Sequence, residues 1–214
     1  RSWSNDNFGQ DLVIAPRGGP IFYWQDANGV SVRAQYLSAL ANTTTALTLS
    51  VANGDISFSS AATSITVSTY FAPSIYPNMV ITGTGIPANT KVANTYITGS
   101  TTVPLSFTAP ATQTTAASSG SYNFSYAGAY VPVETLQVIT SSIQQFIIAF
   151  GANPYSASTP NTTFNPMLVR WSDQANQYQW IPEVTNQAGE FTLTNGSYIM
   201  AARTTRQEIL VWTD

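Results

Sequence analysis

The sequence predicts an all-β fold of antiparallel, partly β-propeller-like sheets with a small inserted β-sandwich or roll. Short apolar runs rich in β-branched and aromatic residues alternate with Gly, Pro and Asn turn signals. The composition changes abruptly from about residue 39 to residue 129. Three of the apolar runs end in a Trp-x-Asp motif, formed by Trp24 with Asp26, Trp171 with Asp173, and Trp212 with Asp214.

The spacing of the Trp-x-Asp motifs favours propeller blades. The second and third motifs are about 41 residues apart, and the first two are about 60 apart once the changed region is left out. A four-stranded blade takes about 40 to 45 residues. We expect each Trp to be buried within one sheet system, and each Asp to accept backbone N–H groups of the following turn.

The sequence pattern of residues 1–38 predicts the first part of this core. Asn5 to Gly9 is rich in turn-forming residues, and Asp11 to Ala15 is a strand. A Pro/Gly connection over residues 16–20 leads to a second strand, Ile21 to Gln25. Two apolar runs joined in this way predict a hairpin that ends in the first Trp-x-Asp motif.

Residues 39–129 predict a separate lobe inserted into a loop of the core. Asp55 and Lys91 are its only charged residues, and Thr, Ser and Ala dominate. A disordered linker is the alternative, but the recurring β-branched and aromatic residues exceed what a linker needs. Alternation with a period near two predicts strands at residues 65–70, 79–82, 91–97 and 121–126.

Residues 130–214 return to the first composition and complete the core. A strand at residues 135–139 opens this part, with a short amphipathic helix at 134–145 as the alternative. The chain starts at Arg1 without a Met and stops after a strand at Asp214, so we expect a fragment of a longer polypeptide. Residues 145–150 are predicted to pair with the strand at 135–139, and a long polar loop at 155–166 leads to a predicted meander at residues 167–171, 178–181, 190–193, 198–202 and 207–212.

The composition argues against most catalytic and metal-binding functions. The chain has no His and no Cys, which removes the commonest general base, thiol nucleophiles and the commonest metal ligands. We therefore expect no enzyme, no cofactor and no metal site. No apolar run approaches the 18 or so residues needed to cross a bilayer, so we also expect no membrane span. A net charge of -3 with one Lys argues weakly against a nucleic-acid-binding surface, although Arg17-Gly18-Gly19 could contact nucleic acid. A carboxylate pair for glycoside hydrolysis could still come from Asp11, Asp173, Glu183, Glu190 and Glu208.

Several motifs, in order, resemble one family of virion proteins. The N-terminal part contains Trp3-Ser-Asn-Asp-Asn-Phe-Gly-Gln-Asp-Leu12 and Pro16-Arg-Gly-Gly-Pro-Ile-Phe-Tyr-Trp24. The later part contains Ile148-Ala-Phe-Gly-Ala-Asn-Pro154, Leu168-Val-Arg-Trp-Ser-Asp173 and Thr204-Thr-Arg-Gln-Glu-Ile-Leu-Val-Trp-Thr-Asp214. Together these resemble the tail tubular, or nozzle, proteins of short-tailed bacteriophages. The segment from Tyr76 to Val92 is similar to the sequence of a β-module that occurs in many phage and surface proteins.

This resemblance implies a structural role in the phage tail. Such proteins have a propeller-like core and form a ring, typically a homohexamer, along the DNA ejection conduit. The implied partners are further copies of the chain, a tail adaptor on the portal side, and tail fibre or tip proteins. DNA would pass without specific binding, because a weakly acidic, Lys-poor wall does not hold phosphate. The alternative is a carbohydrate- or receptor-binding module at the tail tip, which would use exposed Tyr and Trp rings.

Overall fold

The computed structural model describes residues 2–107, 116–117, 120–157 and 160–214. Over these residues the protein is all-β, with several antiparallel sheets and one α-helix. The chain divides into two compact units. The core unit comprises residues 1–41, 128–182 and 186–214, and the inserted unit comprises residues 42–127 with 183–185. No helix in the described ranges is long and apolar enough to cross a membrane.

The first sheet belongs to the core unit and is a four-stranded meander. Its strands follow the chain order, and every neighbouring pair is antiparallel. The helix α1 (Leu37–Thr43), which the sequence did not predict, follows the last strand and buries Leu37 and Ala41. The strands of this first sheet are β1 (Trp3–Phe8), β2 (Asp11–Pro16), β3 (Phe22–Trp24) and β4 (Gln35–Tyr36).

The inserted unit contains one hydrogen-bonded sheet of seven strands. They are β5 (Thr45–Ser50), β6 (Ile56–Ser57), β7 (Ser64–Val67), β8 (Val80–Thr82), β9 (Lys91–Val92), β10 (Thr102–Ser106) and β11 (Ser121–Ser125). Their order across the sheet is β5-β11-β8-β9-β10-β7-β6. Strand β10 pairs with β7 through Thr102 to Pro104 and with β9 through Leu105 and Ser106, so it joins the two halves. One apolar cluster, which includes Tyr122 and Phe124, fills this unit.

The chain then returns to the core unit and forms two further sheets. The second sheet is a meander of β12 (Gln137–Ser141), β13 (Phe146–Ala152), β14 (Asn165–Trp171) and β15 (Gly189–Thr192). The third sheet is a hairpin of β16 (Ile199–Thr204) and β17 (Ile209–Thr213). All pairings in both sheets are antiparallel.

The second sheet lies between the first and the third. On one of its faces, Ile139 and Phe150 pack into an apolar cluster with Ile199 and Ala202 of the third sheet. On its other face, β12 contacts β1 and β2 of the first sheet. Because side chains alternate between the faces of a strand, this arrangement explains why residues 147–152 along β13 are almost all buried.

Several sequence predictions need correction. The turn-rich segment from Asn5 to Gly9 is mostly strand, since β1 extends to Phe8 and pairs with β2. The predicted strand at residues 178–181 is a turn segment, in which Trp180 is buried and donates to the carbonyl oxygen of Gln177. The helix alternative at 134–145 is wrong because β12 occupies that region. The strand predicted at 91–97 extends only over Lys91 and Val92.

The fold class is confirmed at the level of antiparallel β-sheets. No closed or propeller sheet is identified among the described residues. The predicted border at residue 39 falls inside α1, whereas the core unit ends at Ala41 and the inserted unit begins at Asn42. Residues 183–185, which lie within the predicted core, belong to the inserted unit.

Candidate functional site: a groove where three sheets meet

The first strands of the three core sheets, β1, β12 and β16, converge on an open polar groove. It has a volume of about 450 Å³ and is lined by residues 2–6, 136–139 and 200–204, with Arg17 at one side. A second hollow of about 510 Å³ is lined by residues 140–144 and 204–209. Asp6 and Thr204 line both spaces, so the two hollows adjoin along the same strands.

Side chains of β1 join the first sheet to the second. The backbone N–H of Val138 donates to Ser4 Oγ at 3.0 Å, and the N–H of Thr140 donates to Asp6 Oδ2 at 2.9 Å. The Thr140 hydroxyl donates to the carbonyl oxygen of Asn7 at 2.7 Å. Ser4 and Asp6 therefore satisfy edge groups of β12 that would otherwise need another strand.

Gln137 joins the second sheet to the third. Its amide Nε2 donates to the carbonyl oxygen of Ala202 at 2.7 Å, and its Oε1 accepts the N–H of Ala202 at 2.8 Å. The side chain thus satisfies both backbone groups of one β16 residue, as a paired strand would. We call Ser4, Asp6 and Gln137, together with Arg17, the inter-sheet bridges.

Arg17 completes the bridges from the turn between β2 and β3. Its guanidinium donates to the carbonyl oxygens of Ile199 and Met200, each at 3.2 Å, and lies 5.5 Å from the ring centre of Tyr198. The following Gly18 has a φ of 72° and donates its N–H to the carbonyl oxygen of Thr135. Arg17-Gly18-Gly19 therefore makes contacts within the core unit.

Arg170 is a second buried polar centre, away from the groove, and the sequence analysis missed it. It is 3% exposed and donates to the carbonyl oxygens of Tyr130, Asn153 and Trp180 at 2.8 to 3.1 Å. Glu190 lies 3.6 Å from its Nε. Burial lowers the pKa of Arg170 to about 10, an effect that Glu190 partly offsets. The only signal in the sequence was one charged residue inside the apolar run from Met167 to Trp171.

In two Trp-x-Asp motifs the Asp side chain accepts backbone N–H groups, although only Asp173 accepts one from the turn that follows it. Asp173 Oδ1 accepts the N–H groups of Gln174 and Gln187, both at 2.8 Å, while Trp171 Nε1 donates to the carbonyl oxygen of Gln187 at 2.7 Å. Trp171 and Asp173 thus bond to the carbonyl oxygen and the N–H of Gln187, respectively. Asp214 accepts the N–H groups of Ser197 and Tyr198 at 2.8 and 2.9 Å.

The three motifs are nevertheless not equivalent. The short 3-10 helix Asp26–Asn28 has no side-chain cap at its N-cap residue Gln25, and the N–H of Asp26 donates to Asp11 Oδ1. Trp212 is 48% exposed, so the prediction that all three Trp are buried is wrong for that residue. Trp24 and Trp171 are half-buried. Trp24 Nε1 donates to the carbonyl oxygen of Val32 at 2.9 Å.

The carboxylates considered for catalysis mostly bind groups of the protein itself. Asp11 accepts the Tyr23 hydroxyl at 2.7 Å, and Glu190 accepts the N–H of Tyr155 at 2.7 Å. Burial raises the pKa of Glu183, which belongs to the inserted unit. Glu208 lines the second hollow. Over the described part of the chain, no three acidic side chains lie close enough to hold a metal ion.

Comparisons with known proteins add no assignment. No protein-family model matches the sequence, and searches of curated proteins and of solved structures found no significant match. The functional argument therefore depends on the residues and contacts of the chain itself.

Proposed function

We propose that this chain is a structural subunit of a bacteriophage tail, a nozzle or tubular ring component that forms part of the DNA ejection conduit. Its core unit is a partial β-propeller. The subunits form a homomeric ring, of which a hexamer is the expected form, in the tail of the virion. The ring contacts the portal-side adaptor and the tail fibre or tip proteins, and it performs no catalysis.

The observation that carries this proposal is the stacking of three antiparallel sheets around one groove. In a propeller each blade is a meander, the blades pack face to face, and their first strands surround the axis. Here β1, β12 and β16 are the first strands of their sheets, and all three line the groove. Trp24 and Trp171 each end the third strand of their sheet, which is the same position in the two meanders.

The charges around the groove do not form a surface for tight phosphate binding. Arg17 donates to main-chain carbonyl oxygens. The remaining charged side chains that line the two hollows carry both signs: Asp6, Arg203, Arg206 and Glu208. Tight phosphate binding needs clustered cations, so this wall would not retain DNA.

Imaging of intact phage particles tests the proposal. The expected result is a ring of this chain on the tail axis, between the portal-side adaptor and the tail tip. Particles that carry a peptide tag on the chain, imaged beside untagged particles, identify its density. A position in the capsid shell, or a monomer that cleaves host glycans, would overturn the proposal.

One observation favours the second candidate, a carbohydrate- or receptor-binding tail-tip module. In the inserted unit Tyr70 is 82% exposed and Ile97 is 73% exposed. The two loops that carry them meet at Ala72, whose carbonyl oxygen accepts the Tyr96 hydroxyl and the N–H of Gly99. The ring of Tyr70 packs edge-on against Phe71, with the ring centres 4.9 Å apart.

Host adsorption distinguishes this candidate from the ring component. If the exposed loops bind a receptor, phage carrying Tyr70→Ala adsorb more slowly, although their tails assemble normally. Phage carrying Ile143→Ala, a change at an exposed residue of the core unit, should adsorb like the wild type. Unchanged adsorption of the Tyr70→Ala phage would remove the second candidate.

A further inference from the structure

Each outer sheet of the core stack leaves one apolar face uncovered. In the first sheet, Ser4 and Asp6 point to the second sheet, so the alternate residues of β1 point away from it. The strand register places Ile14 opposite Asn5, Phe22 opposite Ile14, and Tyr36 opposite Phe22. This uncovered side, the open face of the first sheet, comprises Trp3, Asn5, Ile14, Phe22 and Tyr36.

Three aromatic rings form a continuous row on the open face of the first sheet. The ring centres of Trp3 and Phe22 are 6.4 Å apart, and those of Phe22 and Tyr36 are 4.8 Å apart. Trp3 is 59% exposed and Tyr36 is 51% exposed. Contiguous exposed apolar side chains of this kind mark interaction surfaces, unlike single exposed residues, which are ordinary.

The third sheet has a matching open face on its far side. Ile209 and Val211 pack toward the second sheet, so Leu210 and Trp212 point away from it. Both are close to half-exposed. Met200, also exposed, precedes Ala201, which pairs with Trp212 at a bulge. Arg203 pairs with Leu210.

From these two faces we infer that a second copy of this chain packs its third sheet against the first sheet of its neighbour. The contact would continue the face-to-face stacking that already buries both sides of the second sheet. Its residue types also suit an interface core, where aromatic residues, Met and Arg are enriched and other charged residues are scarce. Two different faces would meet, so the contact is heterologous and closes into a ring when the rotation allows.

This inference rests on the proposed ring for the identity of the partner, a second copy. The measurement is native mass of the purified full chain over a concentration series. The wild type should form multimers. The chain with Trp3→Ser and Tyr36→Ser has lost the first-sheet face, and the chain with Leu210→Ser and Trp212→Ser has lost the third-sheet face. Each should be monomeric alone, with a circular dichroism spectrum like that of the wild type.

Mixing the two variants gives the sharpest result. Each variant keeps the face that the other has lost, so an equimolar mixture should form a dimer and nothing larger. The matched control is Ile143→Ser, which changes an exposed apolar residue in the turn between β12 and β13 and should leave the multimers intact.

Two outcomes would overturn the inference, and they differ in what they say about the ring. Multimers that persist in both double variants would show that the copies meet elsewhere, and the ring proposal would stand. A wild-type chain that is monomeric at every concentration would overturn the inference and weaken the ring proposal with it. If either double variant fails to fold, Trp3→Ser and Trp212→Ser as single changes repeat the mixing test.

Discussion

The two units of this protein hold their strands together by different means. In the inserted unit, seven strands share one continuous backbone hydrogen-bond ladder around one apolar cluster. In the core unit, three separate sheets are joined by polar side chains, among them Asp6, Gln137 and Arg17. The difference teaches where each unit is vulnerable. The core unit should be most sensitive to loss of buried polar groups, and the inserted unit to loss of apolar volume.

The largest expected effect is in the core unit, at Arg170. Arg170→Ala should lower the free energy of unfolding by about 3 to 5 kcal/mol, because three carbonyl oxygens lose their donor and each loss costs about 1 to 3 kcal/mol. All five Trp lie in the core unit, so Trp fluorescence during a urea titration reports on that unit alone. Arg203→Ala, at an exposed Arg, should change stability by less than about 0.5 kcal/mol. A similar loss in both variants would contradict the structural role of Arg170.

The corresponding change in the inserted unit is apolar. Phe124 is fully buried in the seven-stranded sheet, so Phe124→Ala should cost that unit about 3 to 5 kcal/mol. Thr48→Ala, at an exposed residue of the same sheet, is the control. Far-ultraviolet circular dichroism should show an early transition, while the Trp fluorescence midpoint stays in place. Equal shifts of both signals would mean that the two units unfold as one, which would break the comparison.

A smaller effect is expected at one inter-sheet bridge. Asp6→Ala leaves the N–H of Thr140 without its acceptor, which should cost about 1 to 3 kcal/mol. Asp6→Asn keeps an acceptor oxygen at the same place and should cost less. Asp26→Ala, at an exposed Asp, serves as the control in the same fluorescence titration. An Asp6→Asn variant as unstable as Asp6→Ala would point to the charge rather than the hydrogen bond.

Alkaline pH should weaken the core unit through Tyr23. Burial, and then the hydrogen bond to Asp11, raise the pKa of this hydroxyl well above its ordinary value of 10.0. The protonated form is favoured in the folded state, so the stabilisation is complete below about pH 10 and is lost as the pH rises further. Tyr23→Phe cannot ionise and should flatten the fall of the fluorescence midpoint above pH 10. Tyr36→Phe, at an exposed Tyr, should leave the fall unchanged.

The smallest effect is expected from removing the inserted unit altogether. A chain in which residues 42–127 are replaced by a short Gly/Ser linker should keep the three core sheets, because these sheets pair only within the core unit over the described residues. Trp fluorescence and its urea midpoint should match those of the whole chain. Loss of the cooperative transition would show that the core unit depends on the inserted one.

Sequence periodicity predicted those strands whose apolar residues alternate. Strands β2, β14 and β16 fall close to their predicted positions, since burial of one or both faces requires that pattern. Strand β1 was missed because its residues Ser4, Asn5, Asp6 and Asn7 have the composition of a turn. The strand pairs along its whole length with β2, and Ser4 and Asp6 also accept N–H groups of β12, more than 130 residues away in the chain. No local pattern in the sequence predicts these contacts with β12.

The candidate site was even less accessible from the sequence. Gln137 and Ala202 are common residue types at unremarkable positions, and only their meeting in space makes Gln137 a bridge. Arg170 was different, since a charge in the middle of an apolar strand signals a buried, paired group. The repeated Trp-x-Asp motif predicted equivalent positions that the structure does not have. The strand register places Trp24 on the open face of the first sheet, together with Phe22. Trp171 instead shares a face with Ile148, which packs toward the third sheet.

The inter-sheet bridges also determine how the core unit responds to mechanical load. Within a sheet, adjacent strands share a row of backbone bonds that must break together when one strand slides past another. Between β1 and β12, most of the hydrogen bonds are accepted by the side chains of Ser4 and Asp6. These side chains can rotate, so each hydrogen bond can break and re-form by itself. The boundaries between sheets are therefore the compliant parts of the core, and the sheets are stiff. A tube wall built from such subunits would widen or narrow by tilting whole sheets, without breaking their ladders.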